Sequence, residues 1–420
     1  MAKNLYEVVL NLLVPFLMLS MVSSINYHFT NKKIKFWHYK GLLIVFALTF
    51  IVSVLRQWRF IKYNQINNIY LLCTAFFAGL LYIILVWIYF TKLQKKFLLP
   101  FEITLTILGL LYIACLMLYK VPVVLFLPLQ FLGIGENVFT TMYLLKVTGF
   151  CLAWLLCILI SVGLCAILTR SDKKTNALCF SVFYLLGSFI YFVSVVGIIN
   201  SYYRKKIKIP LGLRKSLPKL ITAENLVFVL VIILLLVIAI VFITLHLKIH
   251  GEYENPAQLR LLKRYERDCR RLGLFAFCLA SFFLIDATLV KKMASRLVEL
   301  SPSEDFQIEG NRIFIPLEQV SDGHLHRFSW ENGKGKTVRF IIVQKKGTNF
   351  GIGFDACEVC GNVGYYERKN DIVCNRCDVV MNRNTIGLKG GCNPIPLQSS
   401  IEDGGIVIFT DDLNREAGRF

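Results

Sequence analysis

The sequence predicts a polytopic α-helical membrane protein of about eight spans with a C-terminal, mainly β, cysteine-rich domain. Hydrophobic residues make up 56% of the 420 positions, whereas soluble domains average about 45–50%. The excess lies in long apolar runs up to about position 300, and the chain is mixed and polar from about position 305. We therefore predict a transmembrane helical domain at 1–300 and a soluble domain at 306–420.

Eight segments are long and apolar enough to span a bilayer, which takes about 20 mostly apolar residues. They are Leu5–Ile25, Tyr39–Leu55, Ile69–Phe90, Ile103–Leu125, Phe139–Leu168, Ala177–Asn200, Ala223–Leu245 and Leu272–Val290. Pro122 interrupts the fourth segment, and apolar residues resume from Val123 to Leu132. This leaves open a kinked extension of the fourth helix, a re-entrant segment or a ninth span.

The charge divides along the chain in the same way. From Asp305 to the C-terminus there are 14 basic and 15 acidic residues, so the net charge of +20 arises in the membrane part. Lysine and arginine beside apolar spans are typical of contact with lipid headgroups. The lipid membrane therefore explains the basic charge, and we expect no nucleic acid partner.

Loop charges set the expected topology. With eight spans both termini lie on one side, and the loops of the opposite side hold 17 basic residues against 14 on the terminal side. Because cytoplasmic loops are richer in lysine and arginine, the C-terminal domain is expected to be extracytoplasmic. Within the last span, Asp286 is a candidate for a proton or ion role, against a role at a helix end or in a buried pair.

The region after position 305 changes to short runs of β-branched and aromatic residues bounded by Gly, Asn and Asp, which predict strands. The expected strands are Arg312–Leu317, Leu325–Trp330, a hairpin of Val338–Val343 with Phe350–Phe354, a short hairpin of Tyr365–Glu367 with Ile372–Val373, and Ile406–Thr410. This pattern is typical of a compact, mainly β domain.

Two cysteine pairs lie in this domain, Cys357 with Cys360 and Cys374 with Cys377, in a C-x2-C-x13-C-x2-C pattern. Two residues between cysteines allow both sulfurs to point into one turn, and two such turns across a hairpin supply four thiolates to a metal. A structural zinc site, a redox or transfer site for iron, an iron–sulfur cluster or copper, and two disulfides or an exchange pair all remain open.

Three further side chains are metal-ligand candidates. Cys392, between glycines and prolines, is a candidate ligand of a second metal or a replacement ligand of the first. His324 and His326 occupy alternate positions of a predicted strand and so share one face; they either bind copper or iron or line a polar sheet face. The seven cysteines within the predicted spans are interpreted as packing residues.

The cysteine motifs resemble those of the FtrD-like family of bacterial membrane proteins. The similar stretches are Asp355–Gly361, Gly364–Tyr366, Val373–Cys377, Asn384–Gly387 and Gly390–Leu397, within about residues 308–413. That family is described as iron–sulfur-containing and is encoded with iron-transport components. The resemblance makes Cys357, Cys360, Cys374, Cys377 and Cys392 candidate ligands of iron or an iron–sulfur cluster, with zinc and copper left open.

The resemblance implies a multi-pass protein of the bacterial cell membrane that acts as a subunit of an iron uptake system. Its expected partners are an iron permease and an extracytoplasmic metal-binding protein. Its expected role is to handle metal, or to accept and pass on electrons as a redox component. Two alternatives come from other classes: a zinc-stabilised docking or assembly protein, and a membrane thiol–disulfide oxidoreductase.

Overall fold

The computed structural model describes residues 2–58, 60–61, 65–90, 98–130, 139, 141–203, 211–249, 252–290, 292, 298–332, 335–358, 360–368, 371–376, 379–388 and 392–420. These residues form two compact units. One runs up to 130 and again from 139 to 292, and the other runs from 298 to 420. Each unit is described by itself.

The first unit contains, within the described residues, eight helices long and apolar enough to cross a membrane. They are α1 (Ala2–Phe29), α2 (Lys32–Gln57), α3 (Gln65–Tyr89), α4 (Leu98–Leu125), α5 (Thr141–Leu168), α6 (Lys173–Tyr203), α7 (Leu211–Leu245) and α8 (Pro256–Ile285), the last continued by a π-helical turn, Asp286–Val290. The polytopic helical fold is thus confirmed.

The fourth helix continues through its proline. Pro122 lies inside α4, which ends at Leu125 and is followed by a single 3-10 turn, Leu127–Gln130. The kinked or re-entrant continuation considered for this region extends into residues 131–138, which lie outside the described residues. No ninth candidate span is present in the described ranges.

Helix α1 is the centre of the first unit. In the most apolar stretch of α1, 83% of the residues are buried, whereas the corresponding share in α2 is 22%. Helix α1 packs against α4, α5 and α6. Two polar side chains of α1 bond to neighbouring helices: Ser20 Oγ lies 2.7 Å from Ser161 Oγ, and Asn26 Oδ1 accepts from Thr106 Oγ1 at 3.0 Å. Buried polar groups in an apolar surrounding need such partners, so these bonds help fix the helix contacts.

The described part of the second unit contains eleven short strands. They are β1 (Gln307–Glu309), β2 (Arg312–Pro316), β3 (Leu325–Glu331), β4 (Thr337–Lys346), β5 (Asn349–Cys357), β6 (Tyr365–Arg368), β7 (Asp371–Cys374), β8 (Val380–Met381), β9 (Pro394–Pro396), β10 (Ser400–Glu402) and β11 (Gly405–Phe409). A one-turn helix, Leu317–Val320, follows β2, and a helix, Thr410–Glu416, follows β11. This confirms the C-terminal β-rich region.

The strands form three antiparallel sheets, in the orders β1-β2-β11-β10, β3-β4-β5-β9 and β6-β7-β8. Side chains at alternate positions of β4 pack into two different hydrophobic cores, one on each face of the sheet. Phe340 and Ile342 join the core shared with the first sheet, while Ile341 and Val343 join the core that contains the cysteines and the small third sheet. Because side chains alternate along a strand, the middle sheet is buried on both faces, and the core on one of these faces contains the cysteines.

Candidate metal centre

The first cysteine pair forms a tight turn at the end of β5. The N–H of Cys357 donates to the carbonyl of Gly361 at 3.0 Å, and the N–H of Gly361 donates back to the Cys357 carbonyl at 3.1 Å. Gly361 has a φ of +79°, a conformation that glycine adopts without steric cost. The N–H of Cys360 donates to Cys357 Sγ at 3.0 Å. A backbone donor aimed at sulfur stabilises a thiolate, as a metal-binding turn requires.

The third cysteine reaches the same place from the small sheet. Cys374 is the last residue of β7 and lies opposite Tyr365 of β6 in the antiparallel register. Its N–H donates to the carbonyl of Val379 at 3.0 Å. The next residue, Asn375, is held by its own N–H on the Gly364 carbonyl at 3.0 Å and by its side chain on the backbone of Val298. Cys374 is therefore fixed on both sides by backbone contacts.

These contacts bring three sulfurs into one cluster. Sγ of Cys357, Cys360 and Cys374 all lie within 4.8 Å of one another, and all three residues are buried. In a tetrahedral thiolate site with metal–sulfur bonds of about 2.3 Å, neighbouring sulfurs lie about 3.8 Å apart. The cluster thus fits a thiophilic metal, and the buried, soft donor set fits zinc, iron or copper(I) better than a hard cation.

Of the two other predicted cysteine ligands, the structure describes only Cys392. Cys377 lies outside the described residues, so its part in the site stays a prediction. Cys392 packs against the hydrophobic cluster that contains the three clustered cysteines. Its sulfur does not complete a four-thiol group within 4.8 Å among the described residues. Its carbonyl accepts a hydrogen bond from the hydroxyl of Tyr365 at 2.6 Å.

A buried charge network lies directly behind the cluster. The carboxylate of Asp355, fully buried, accepts from Arg327 Nε at 3.0 Å, from Arg339 Nε at 3.2 Å and from the Tyr365 N–H at 2.8 Å. The buried guanidinium of Arg327 also donates to the carbonyl of Tyr365 and to the Ser301 carbonyl. Both backbone polar groups of Tyr365 are therefore held by this ion pair.

Tyr365 connects the network to the sulfurs. Its ring packs among the cysteines, and burial, followed by the nearby thiols of Cys357 and Cys374, raises the pKa of its hydroxyl. The hydroxyl therefore stays protonated and donates to Cys392. Through Tyr365, the ion pair of Asp355 and Arg327 positions the second arm of the site. Such outer contacts orient metal ligands in many proteins.

The predicted histidine ligands lie apart from the sulfur cluster and are engaged by carboxylates. His326, at the start of β3, is buried, with Nδ1 2.9 Å from Glu304 and Nε2 2.7 Å from Asp322. His324 is exposed and lies 3.0 Å from Glu367. Neither residue joins the group of potential metal ligands found in the described residues. Metal binding by these histidines stays a prediction, and ion pairing is the role that the contacts support.

The pairing of His324 has a measurable consequence for its titration. The hydrogen bond that His324 donates to Glu367, and then the charge of that carboxylate, raise the pKa of His324 above the ordinary value of 6.5. We expect Glu367→Gln to return this pKa towards 6.5, as measured by the NMR chemical shift of the ring during a pH titration. Because the folded pKa is raised, the pair stabilises the fold fully below pH 6.5 and this contribution is lost as pH rises through the folded pKa. An unchanged pKa in Glu367→Gln would contradict the assignment.

Gly364 offers a test of packing behind the site. It has a φ of +80°, and a Cβ there would lie 2.8 Å from Oδ2 of Asp355 and 2.8 Å from Leu300 Cδ1. We expect Gly364→Ala to cost about 3 kcal/mol, from backbone strain and overpacking together. Gly310→Ala is the matched control, with φ +63° but open space around its Cβ, and should cost about 1 kcal/mol. If urea unfolding showed the same loss of stability in both variants, the carboxylate of Asp355 would not restrict position 364.

The sequence motifs did not reveal Arg327, Asp355 and Tyr365 as residues that support the site. Asp355 carries a usable signal, since it is a charged residue in an apolar strand two positions before the first cysteine. A charge in a strand buried on both faces needs a partner of opposite sign. The partner, Arg327, is 28 positions away in the chain. The two come together only because β3 pairs with β4 and β4 pairs with β5.

The comparisons with known proteins address the C-terminal part of the chain. Residues 320–420 match the family model described as "Membrane iron-sulfur containing protein FtrD-like". No curated protein and no solved structure matches the chain. The matched residues include all three clustered cysteines and Asp355. Over its C-terminal quarter the chain is thus similar to the FtrD-like membrane iron-sulfur-containing proteins, which confirms the resemblance drawn from its cysteine motifs.

Proposed function

We propose that this protein is a membrane subunit of a bacterial iron uptake system, with a C-terminal cysteine site that binds redox-active iron and accepts or passes on electrons. The observation that carries the proposal is the buried cluster of Cys357, Cys360 and Cys374 inside the region that matches a family of iron-sulfur-containing membrane proteins. The eight candidate spans supply the membrane anchor. An iron permease and an extracytoplasmic metal-binding protein are the partners that this role requires.

The chemistry of the site suits electron transfer. Thiolates bind both oxidation states of iron, and bound iron would supply a one-electron couple. The chain's own residues keep the ligands in place: Cys360 and Cys374 are fixed by backbone hydrogen bonds, and the Asp355–Arg327 pair holds Tyr365 between them. When ligands are held rigidly, their positions change little between the two oxidation states of the metal. This favours fast electron transfer.

A single zinc ion is the second candidate, favoured by the short separation of the sulfurs. Three thiols within 4.8 Å suit one tetrahedral ion. In that case the site stabilises the domain, and the protein acts in docking or assembly. The thiol–disulfide alternative is less well supported, because three of the four described cysteines of the domain converge on one point, as the ligands of a metal do.

Metal analysis and absorption spectroscopy of the full-length protein purified in detergent without oxygen separate these functions. Iron with visible charge-transfer bands that change on reduction is the expected result. Colourless protein with one zinc per chain would replace the electron-transfer proposal with the docking one. Metal-free protein whose cysteines exchange with a disulfide substrate would reject both.

The side of the membrane needs its own measurement. We propose that the C-terminal domain is extracytoplasmic, supported by the distribution of lysine and arginine among the loops. A membrane-impermeant maleimide applied to intact cells should label a cysteine introduced at the exposed position Gly418, as Gly418→Cys. Labelling only after the cells are permeabilised would place the domain in the cytoplasm and reject a role in extracytoplasmic metal handling.

A further inference from the structure

An unpaired carboxyl group is buried in the first unit. Asp286 is 1% exposed and is the first residue of the π-helical turn Asp286–Val290 that continues α8. Neither of its carboxyl oxygens has a hydrogen-bond partner among the described residues. The segment belongs to the candidate span Pro256–Val290. An acidic side chain at such a position is unfavourable and calls for a specific explanation.

The two other buried acids in the described part of this unit have hydrogen-bond partners. Glu102 Oε2 accepts from the N–H of Asn31 at 3.0 Å, and Glu266 Oε2 lies 2.5 Å from Nδ1 of His246. Asp286 therefore differs from the buried acids of the described part of the unit in having no partner. A structural role as a helix cap or as half of an ion pair would require one.

The surroundings of Asp286 contain little charge. The π-helical turn packs against α1, which has no ionisable side chain between Glu7 and Tyr27. The buried thiol of Cys157, in α5, is close enough to Asp286 to interact with the charge of its carboxyl group. No lysine, arginine or histidine of the described residues donates to the carboxyl group of Asp286.

The identity of a ligand follows from these surroundings. A carboxyl group buried without a partner is stabilised by binding a positive charge, either a metal cation or a proton. Sodium, magnesium and calcium need several oxygen ligands, whereas Asp286 is the only acid of its π-helical turn and α1 has none between Glu7 and Tyr27. A proton needs only the carboxyl group. The π-helical turn also interrupts the regular helical hydrogen bonds, a feature often found at functional sites in helices.

We propose that Asp286 is a proton-binding site of the membrane unit that exchanges its proton with water. This goes beyond the function proposed for the cysteines and is independent of which metal they bind. The site gives the membrane helices a protonation-dependent state, in which the neutral acid fits the apolar contact with α1 and the ionised acid does not.

Infrared spectroscopy of the full-length protein in lipid nanodiscs tests this. The difference spectrum between the wild type and Asp286→Asn should contain one carbonyl stretch of a protonated carboxylic acid at neutral pH. That band should shift to lower frequency in D2O and disappear as the pH is raised. Glu102→Gln is the matched control, because Glu102 is a buried acid that has a partner. Replacing Glu102 should leave the carbonyl band of Asp286 in the spectrum.

Two outcomes would overturn the proposal. A difference spectrum without a protonated-acid band would show that Asp286 is ionised and therefore paired. A band that does not shift in D2O would show a sealed, structural acid. Asp286→Asn is nearly isosteric, and unchanged elution and unchanged metal content of the C-terminal site would establish that the variant is folded.

Discussion

Replacing Cys357 by serine is expected to abolish metal binding by the C-terminal site, from about one site equivalent per chain to none. The sulfur of Cys357 lies within 4.8 Å of the sulfurs of Cys360 and Cys374. It also accepts a hydrogen bond from the N–H of Cys360. The substitution therefore removes a metal ligand and the hydrogen-bond acceptor that orders the turn. A serine hydroxyl is a poor ligand for a thiophilic metal. The measurement is the metal content of the purified full-length protein.

The control is a cysteine of the membrane unit. Cys278 in α8 is exposed and belongs to no group of potential metal ligands in the described residues. Cys278→Ser should therefore retain the full metal content. If Cys357→Ser retained its metal as well, the ligand assignment would be wrong. Loss of metal in both variants would indicate a general folding defect.

The same comparison determines the contribution of metal to folding. Because the clustered thiols are buried against a small hydrophobic core, bound metal adds its binding free energy to the stability of the domain. We expect chelation of the wild-type protein to lower its resistance to urea to that of Cys357→Ser, while chelation leaves the variant unchanged.

The spans were predictable from sequence because hydropathy is a local property. Their ends were less so. The eighth span was predicted from Leu272, whereas α8 begins at Pro256, where Asn255 accepts the N–H of Gln258. The first half of α8 is charged and amphipathic, so a hydropathy criterion omits it although it is helical. In α4 the helix continues through Pro122, which α-helices within a membrane tolerate when neighbouring groups satisfy the freed carbonyl.

The cysteine site was predictable to the extent that its spacing is local. The turn at Cys357 and Cys360 and the hairpin that carries Cys374 both follow from short patterns, and both are present. The short strands β1, β8, β9 and β10 were not predicted, because two or three residues do not establish a period. The ion pair behind the site depends on strand pairing and lies beyond the reach of local patterns.

The second large effect is expected at that ion pair. Asp355→Ala removes the carboxylate that faces the guanidinium of Arg327, whose side chain is 1% exposed. A charge left buried without its partner costs about 3–5 kcal/mol. The Tyr365 N–H loses its acceptor at the same time. We expect a loss of this size in the free energy of unfolding of the C-terminal domain, measured by proteolysis in increasing urea, with a 10- to 100-fold weaker metal affinity.

Two comparisons separate a buried-charge effect from the simple loss of a side chain. Arg415→Ala breaks a surface pair with Asp412, in which the arginine side chain is 71% exposed, and should cost less than about 1 kcal/mol. Arg327→Met added to Asp355→Ala removes the unpaired guanidinium and should restore part of the lost stability, while Arg339, which is partly exposed, remains solvated. If the double variant were as unstable as the sum of the two single ones, the ion pair would not be the cause. Recovered stability without recovered metal affinity would show that the pair also positions Tyr365 beside the sulfurs.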